Sequence, residues 1–271
     1  MNLGRIPAKT AAIEPQREAL IDVPNDRRIC FGELDERIRR LANALCTDLG
    51  LHKGDRVAIL SRNCIQYMEI FCAAARCGLI ALPLNWRLSE PELLRLLEDG
   101  EPAVLMYSDE YASTADSLLK TCQVPHSFVF SEAAGCSYEH LLASASSEEP
   151  VYADEVEPND PVLILYTGGT TGQSKGALHT HHSLFMGMLN QTVAERIVAS
   201  DVYMLTGQMF HIPVALAMNY MAHGCPVVLI NFEAKLALEV IQRERVSAFL
   251  GITTMINWMM AVENFGDYDL S

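Results

Sequence analysis

The stretch DPVLILYTGGTTGQSKG, residues 160–176, sets an apolar run directly against a run rich in glycine and threonine. Val162–Tyr166 reads as a short buried strand, and three glycines then fall within five positions, at Gly168, Gly169 and Gly172. Glycine frees the backbone to turn its N–H groups inward, while Thr167, Thr170 and Thr171 add hydroxyls and Lys175 adds a cation. Such a set can surround a polyphosphate. A glycine-rich hairpin turn is the plainer account, but a turn needs glycine or asparagine, not three threonines and a lysine at these offsets. The familiar phosphate motifs do not fit. Reading a Walker A loop from Gly169 places Ser174 where the second glycine belongs and Gly176 where Ser or Thr should follow the lysine. A dinucleotide fingerprint fails because Gly168 and Gly169 are adjacent. The segment after the loop, Ala177–His181, looks extended, so no helix N-terminus assists.

Outward from this loop, strand and helix patterns alternate on both sides. Before it, Leu34, Ile38, Leu41, Ala42, Leu45 and Leu49 keep the spacing of one helix face. Arg56–Leu60 predicts a strand, Ile65–Cys77 a mostly apolar helix, Leu79–Leu84 a second apolar run and Ala103–Tyr107 another strand. Ser89 and Glu92, with Pro91 between them, form a capping box for a helix ending near Gly100. After it, strands at Val202–Leu205, Pro226–Ile230 and Ala248–Leu250 alternate with helices at Ser183–Val198, Ile212–Ala222, Lys235–Arg245 and Thr253–Val262. Short apolar strands separated by helices are the mark of βαβ units, so an α/β fold of layered α/β/α subdomains with mostly parallel sheets is expected. Ser144–Asp160 holds six acidic residues and no basic one and reads as a solvated surface linker. It suggests a first α/β subdomain over residues 1–150 and the incomplete start of a second, bearing the loop, over 151–271.

With 271 residues, 50% of them hydrophobic, the chain can bury a large core. Its net charge of -14 argues against nucleic acid or an anionic membrane as the main partner. Residues 1–100 hold 14 acidic and 14 basic groups, whereas 101–271 hold 20 and 6, so the loop lies in the acidic part. An anion binding there depends on local donors: two unit charges about 4 Å apart at an effective dielectric near 20 attract by roughly 4 kcal/mol, which makes Lys175 decisive. The eight cysteines show no Cys-x-x-Cys and read as buried thiols of a reducing compartment. Met1–Glu14 lacks the apolar core of a signal peptide, and Met209–Ala222 is too short and interrupted to span a bilayer; a soluble cytoplasmic protein is expected. Arg37, Arg39 and Arg40 read as a solvated helix face. His179, His181 and His182 lack a further ligand at metal spacing and read as part of the strand leaving the loop. The methionines between Met186 and Met260 read as core, with an adaptable acyl tunnel as the alternative.

Tyr166 to Gly176 resembles the signature phosphate loop of the adenylate-forming (AMP-binding) enzymes: acyl- and aryl-CoA synthetases, luciferases and peptide-synthetase adenylation domains. Two positions depart mildly, Gly168 where serine is frequent and Ser174 where proline is frequent. Phe31-Gly-Glu-Leu34, Gly54-Asp55-Arg56-Val57 and the run from Gly78 to Arg87 resemble further segments of the family, and Met209-Phe210-His211 resembles an element of its acyl-CoA ligase branch. The resemblance covers the chain from about residue 14 to its end.

It implies an ATP-dependent ligase of fatty acid metabolism or a related pathway, in which a small carboxylic acid attacks Mg-ATP to give an acyl-adenylate and a thiol, usually CoA, then takes the acyl group. By carry-over, Thr167, Gly168, Gly169, Thr170, Thr171, Gly172 and Lys175 hold the phosphates, Thr167 also touches magnesium, and Lys175 and His211 are the catalytic candidates. Phe210 and His211 would border the acyl pocket; from the residues alone, a buried core histidine at position 211 is equally consistent. Pro213 stands where hydroxycinnamate ligases carry a tyrosine, which disfavours a phenolic acid. The family's adenine segment, ribose-binding aspartate, hinge and C-terminal catalytic lysine have no match before Ser271, so the chain resembles the N-terminal portion of a ligase and is expected to have little activity alone. A truncated, non-catalytic homologue acting as a nucleotide-binding or oligomerising module is the alternative, and homo-oligomer formation is open.

Overall fold

The computed structural model describes residues 1–131, 135–167 and 174–271. A 3-10 turn at Leu3–Arg5 leads into α1 (Ile6–Ile13), and a hairpin of β1 (Glu18–Asp22) and β2 (Arg27–Cys30) precedes α2 (Phe31–Asn43), which continues as a π-helical turn over Ala44–Asp48. Then come β3 (Arg56–Leu60), α3 (Ile65–Arg76), β4 (Ile80–Pro83), α4 (Glu90–Gly100), β5 (Val104–Ser108), α5 (Ala112–Thr121), β6 (His126–Phe130) and α6 (Ser137–Ser144). The later part contains β7 (Pro161–Thr167), β8 (Lys175–Thr180), α7 (His181–Glu195), β9 (Tyr203–Leu205), α8 (Pro213–Ala222), β10 (Val227–Leu229), α9 (Ala234–Glu244), β11 (Ala248–Phe249) and α10 (Thr253–Met260).

Two mostly parallel sheets result. One runs β6-β5-β3-β4-β7-β8, with only β8 antiparallel; the other runs β11-β9-β10-β1-β2, with only β2 antiparallel. Strands from both sides of residue 150 enter each sheet, because β7 and β8 extend the first and β1 and β2 complete the second. Strand alternation sorts the core into three apolar layers. Val57, Ile59 and Val104 of the first sheet meet Leu20, Val227 and Tyr203 of the second through α2, α3, α7 and α8. Ala58, Leu60 and Leu105 face α4 and α5 on one outer side, and Ile21, Met204 and Val228 face α9 and α10 on the other. The order is helix, sheet, helix, sheet, helix, an α/β architecture as expected.

The middle layer explains two departures from the sequence reading. Every residue of α3 is buried, including Glu69 and Arg76. Glu69 therefore requires a partner: Arg37 donates to it at 2.5 Å and the Tyr138 hydroxyl at 2.7 Å. Arg37, with only 15% of its side chain exposed, is a buried ion-pair residue and not part of a solvated face. Arg39 and Arg40 instead donate to the carbonyls of Ser147 and Ala145, and Asn43 donates to those of Ser146 and Glu148 at 2.9 Å. The acidic Ser144–Asp160 segment is mostly exposed, as expected of a surface linker, but these bonds strap its start to α2, and it includes a 3-10 turn at Val151–Asp154. Five of the eight cysteines are buried, and burial pushes the Cys64 and Cys72 thiols up to about 12, which leaves them unreactive. Among the described residues no helix is long and apolar enough to cross a membrane.

Candidate functional site

The β7–β8 hairpin carries the glycine-threonine loop at its open end. Leu163 and Leu165 of β7 are buried against the middle layer, so the strand is anchored to within two residues of its exposed end at Thr167. Thr167 and Lys175 are register partners across the hairpin, with Tyr166 opposite Gly176 and Leu165 opposite Ala177. Cross-strand partners share a face, so Thr167 and Lys175 stand on the same face at the exposed mouth. Gly168, Gly169, Thr170, Thr171 and Gly172 lie outside the described residues.

Beside this mouth is a cavity of about 400 Å³, lined by Pro83, Asn85 and Glu92 on one side and by Tyr166, Thr167, Ser174, Phe210 and His211 on the other. Its size suits a small organic ligand. It joins both shoulders of the loop to the Phe210-His211 pair, two regions more than thirty residues apart in the chain. Lys175 follows Ser174 at the rim and is not itself part of the lining. Glu92 doubles as the capping-box acid of α4: its carboxylate accepts from the Ser89 N–H at 2.8 Å and from the Ser89 hydroxyl at 2.6 Å, which holds its pKa below the usual carboxylate range.

Phe210 and His211 occupy a turn between β9 and α8. His211 is exposed, so the buried-histidine alternative is overturned. What fixes this turn is Asn63, only 2% exposed, whose amide donates to Gly207 O at 2.7 Å and Ile230 O at 3.0 Å while its oxygen accepts from Met209 N–H at 2.9 Å. All the hydrogen-bonding capacity of that side chain except one lone pair goes into holding two segments of the other sheet. Gly207 is required here: a Cβ would stand 2.5 Å from Pro213 Cγ. On the outer side Trp86 Nε1 donates to Gln208 Oε1 at 3.1 Å, and the Arg87 guanidinium lies 4.3 Å from the Trp86 ring centre and 5.6 Å from that of Phe210. Sequence reasoning missed Asn63 and Trp86, since a lone asparagine before a helix reads as a loop residue until its distant partners are known.

The histidine cluster disperses. His179 lies on β8 opposite Leu163, whereas His181 and His182 begin α7. His181 is fully buried; its Nδ1 accepts from Leu3 N–H at 3.1 Å, and burial lowers its pKa to about 4. Among the described residues no cluster of three His, Cys, Asp or Glu side chains suits a metal.

With this geometry established, the comparisons are specific. Residues 8–271 match the family profile described as AMP-binding enzyme. The long-chain-fatty-acid–CoA ligase FadD13 of Mycobacterium tuberculosis is 30% identical over 270 residues, covering 99% of this chain and 53% of its own length. The feruloyl-CoA synthase of an Amycolatopsis species is 30% identical over 279 residues, covering 99% of this chain and 52% of its own. An inhibitor-bound crystal structure of the N-terminal domain of FACL13 from Mycobacterium tuberculosis superposes with a TM-score of 0.91 at 28% identity, covering 99% of this chain and 67% of that one. The chain thus spans about half the length of the curated relatives it matches. It belongs to the AMP-binding enzyme family, among relatives that are acyl-CoA ligases, and corresponds to their N-terminal portion.

Proposed function

We propose that this chain contributes the phosphate-binding loop and one wall of the acid pocket to an ATP-dependent carboxylic acid–CoA ligase. The observation that carries the reading is the shared cavity: Thr167 and Ser174, the two shoulders of the loop, line it together with Phe210 and His211. A site that must set a carboxylate against a nucleotide needs that adjacency. When bound, Mg-ATP supplies the electrophilic phosphorus for adenylation of the acid, and CoA supplies the thiol that receives the acyl group.

The chain's own residues have separable tasks. Lys175, Thr167, Thr170 and Thr171, with the backbone N–H groups of Gly168, Gly169 and Gly172, hold the β- and γ-phosphates and neutralise the charge that builds on the departing pyrophosphate. The Thr167 hydroxyl fits magnesium as a single oxygen donor at an exposed mouth, since that ion keeps several waters and is held largely through substrate phosphates. Phe210 gives the acid an apolar wall, and the exposed imidazole of His211 borders the reacting carboxylate. The relatives named above act on acids as different as long-chain fatty acids and ferulate, so the substrate is taken as a small-molecule carboxylic acid, with Pro213 favouring a non-phenolic one.

Calorimetric titration of the chain with Mg-ATP tests the reading. Saturable binding that Lys175→Ala weakens at least tenfold is the expected result; binding unchanged by that substitution overturns it. The alternative of a nucleotide-binding or oligomerising module draws on the exposed apolar side chains of α7 and α10, Val193 at 79% and Trp258 at 58%. Self-association on sedimentation, with no acid-dependent pyrophosphate exchange by the complete protein, is the outcome it requires.

A further inference from the structure

The hairpin that carries Lys175 is an edge of its sheet. Among the described residues β8 pairs only with β7, and Lys175, Gly176, Ala177 and Leu178 are all exposed. Little besides the ladder holds such a strand, yet donors that stabilise developing charge are effective only when held still. The opposite face of the hairpin supplies a fastening. Tyr166 stands directly across from Gly176 in the register, and its ring covers the glycine backbone: a Cβ on Gly176 would lie 3.4 Å from two ring carbons of Tyr166 and 3.0 Å from Ile164 Cγ2. The Tyr166 hydroxyl donates to Asp99 Oδ2.

Asp99 is the penultimate residue of α4, whose last turn contains no basic residue. A carboxylate there opposes the helix macrodipole, so helix chemistry alone does not account for it. The end of α4 is itself tied down. Arg56 of β3 donates to Gly100 O at 2.7 Å and to Glu101 O at 2.6 Å. A continuous set of contacts therefore runs from the central strand β3, through the end of α4, to the phenol that covers the mouth of the hairpin.

We propose that Tyr166 and Asp99 form a positioning pair for the phosphate loop, fixing the separation of the flanking register partners Thr167 and Lys175 before any ligand arrives. This rests on the ligase reading above. With the hydroxyl held, the ring stays over Gly176 and the two strands keep their register to the last pair; with it released, the placement of Thr167 against Lys175 must be fixed when the nucleotide binds, at a loss of affinity. Neither residue touches phosphate in this account.

Titration of the whole chain with Mg-ATP, and separately with inorganic pyrophosphate, tests the pair. Tyr166→Phe and Asp99→Ala each weaken both affinities about five- to tenfold, the size of one net hydrogen bond. Asp99→Asn, whose carboxamide oxygen still accepts, recovers most of the loss, and the double variant Tyr166→Phe/Asp99→Ala is no weaker than either single one. Thermal midpoints stay within about 2 °C of the parent, as for exposed substitutions. Unchanged affinity in Tyr166→Phe, or losses that simply add in the double variant, overturns the pair. The Lys175→Ala control separates the two ideas: if it weakens binding while Tyr166→Phe does not, only the positioning pair falls, and if it is neutral, or the parent chain binds neither probe, the ligase reading falls with it.

Discussion

Arg76 and Lys175 each stand at the end of an element, and the molecule treats them in opposite ways. Arg76 closes α3 with 2% of its side chain exposed, clamped between Asp35 at 2.6 Å and Glu149. Lys175 opens β8 exposed to solvent, and among the described residues it has no ion-pair partner. An unpaired buried guanidinium would cost several kcal/mol, and the charge of Arg76 is neutralised within the fold by Asp35 and Glu149. Lys175 keeps its hydration until something else neutralises it. Of the two, the cation that no carboxylate among the described residues neutralises is the one able to take a counter-charge from solution.

The comparison breaks first at Arg76. Arg76→Ala takes the buried guanidinium out of the cluster, leaving Asp35 to Arg39 and the part-exposed Glu149 to Arg5, and is expected to cost about 3 kcal/mol of stability by denaturant unfolding, with Mg-ATP affinity unchanged in the folded fraction. Lys175→Ala should show the reverse: melting unaltered, but Mg-ATP affinity weakened at least tenfold and, on the proposed ligase reading, acid-dependent pyrophosphate exchange lowered about 10²–10³-fold, roughly 3–4 kcal/mol of barrier. If the two substitutions move stability alike, the contrast is void. Acid sharpens it through a third group. His181 has its folded pKa lowered by burial to about 4, while the unfolded chain binds the proton near its ordinary value of about 6.5. The unfolded state therefore holds more protons between these values, and stability is fully present above about pH 6.5 and declines toward pH 4, by about 3 kcal/mol at most. His181→Phe should flatten that part of the pH–stability curve. The smallest effect is at Asn63: Asn63→Ala strands three backbone groups and costs about 2 kcal/mol, and it should also loosen the Phe210-His211 turn, read as faster proteolysis there.

What the sequence disclosed follows the range of the forces involved. Arg56–Leu60 coincides with its observed strand, and the Ser89–Glu92 capping box sits where its spacing put it, because both depend on neighbours within a few positions. The β1–β2 hairpin went unread: β1 is buried along Ala19–Asp22 and pairs in parallel with Val227–Leu229, some two hundred residues later, so nothing local marks it. Arg37 looked solvated for the same reason, its partner Glu69 arriving from another helix. Of the candidate site, the residue types of the loop and the Phe210-His211 pair were legible as motifs. That they share a cavity, and that Asn63 and Trp86 hold one side of it, could be learned only from the packing of the two sheets.

The pairing of β1 with β10 also bears on how the chain acquires its shape as it is made. The hairpin of β1 and β2 leaves the ribosome long before Val227–Leu229 exists, and β4 likewise waits for β7. Neither sheet can close domain-wise from its N-terminal end. Until the late strands emerge, the early ones lack these partners, so the final pairing of both sheets depends on contacts of long sequence separation, the kind that slow folding.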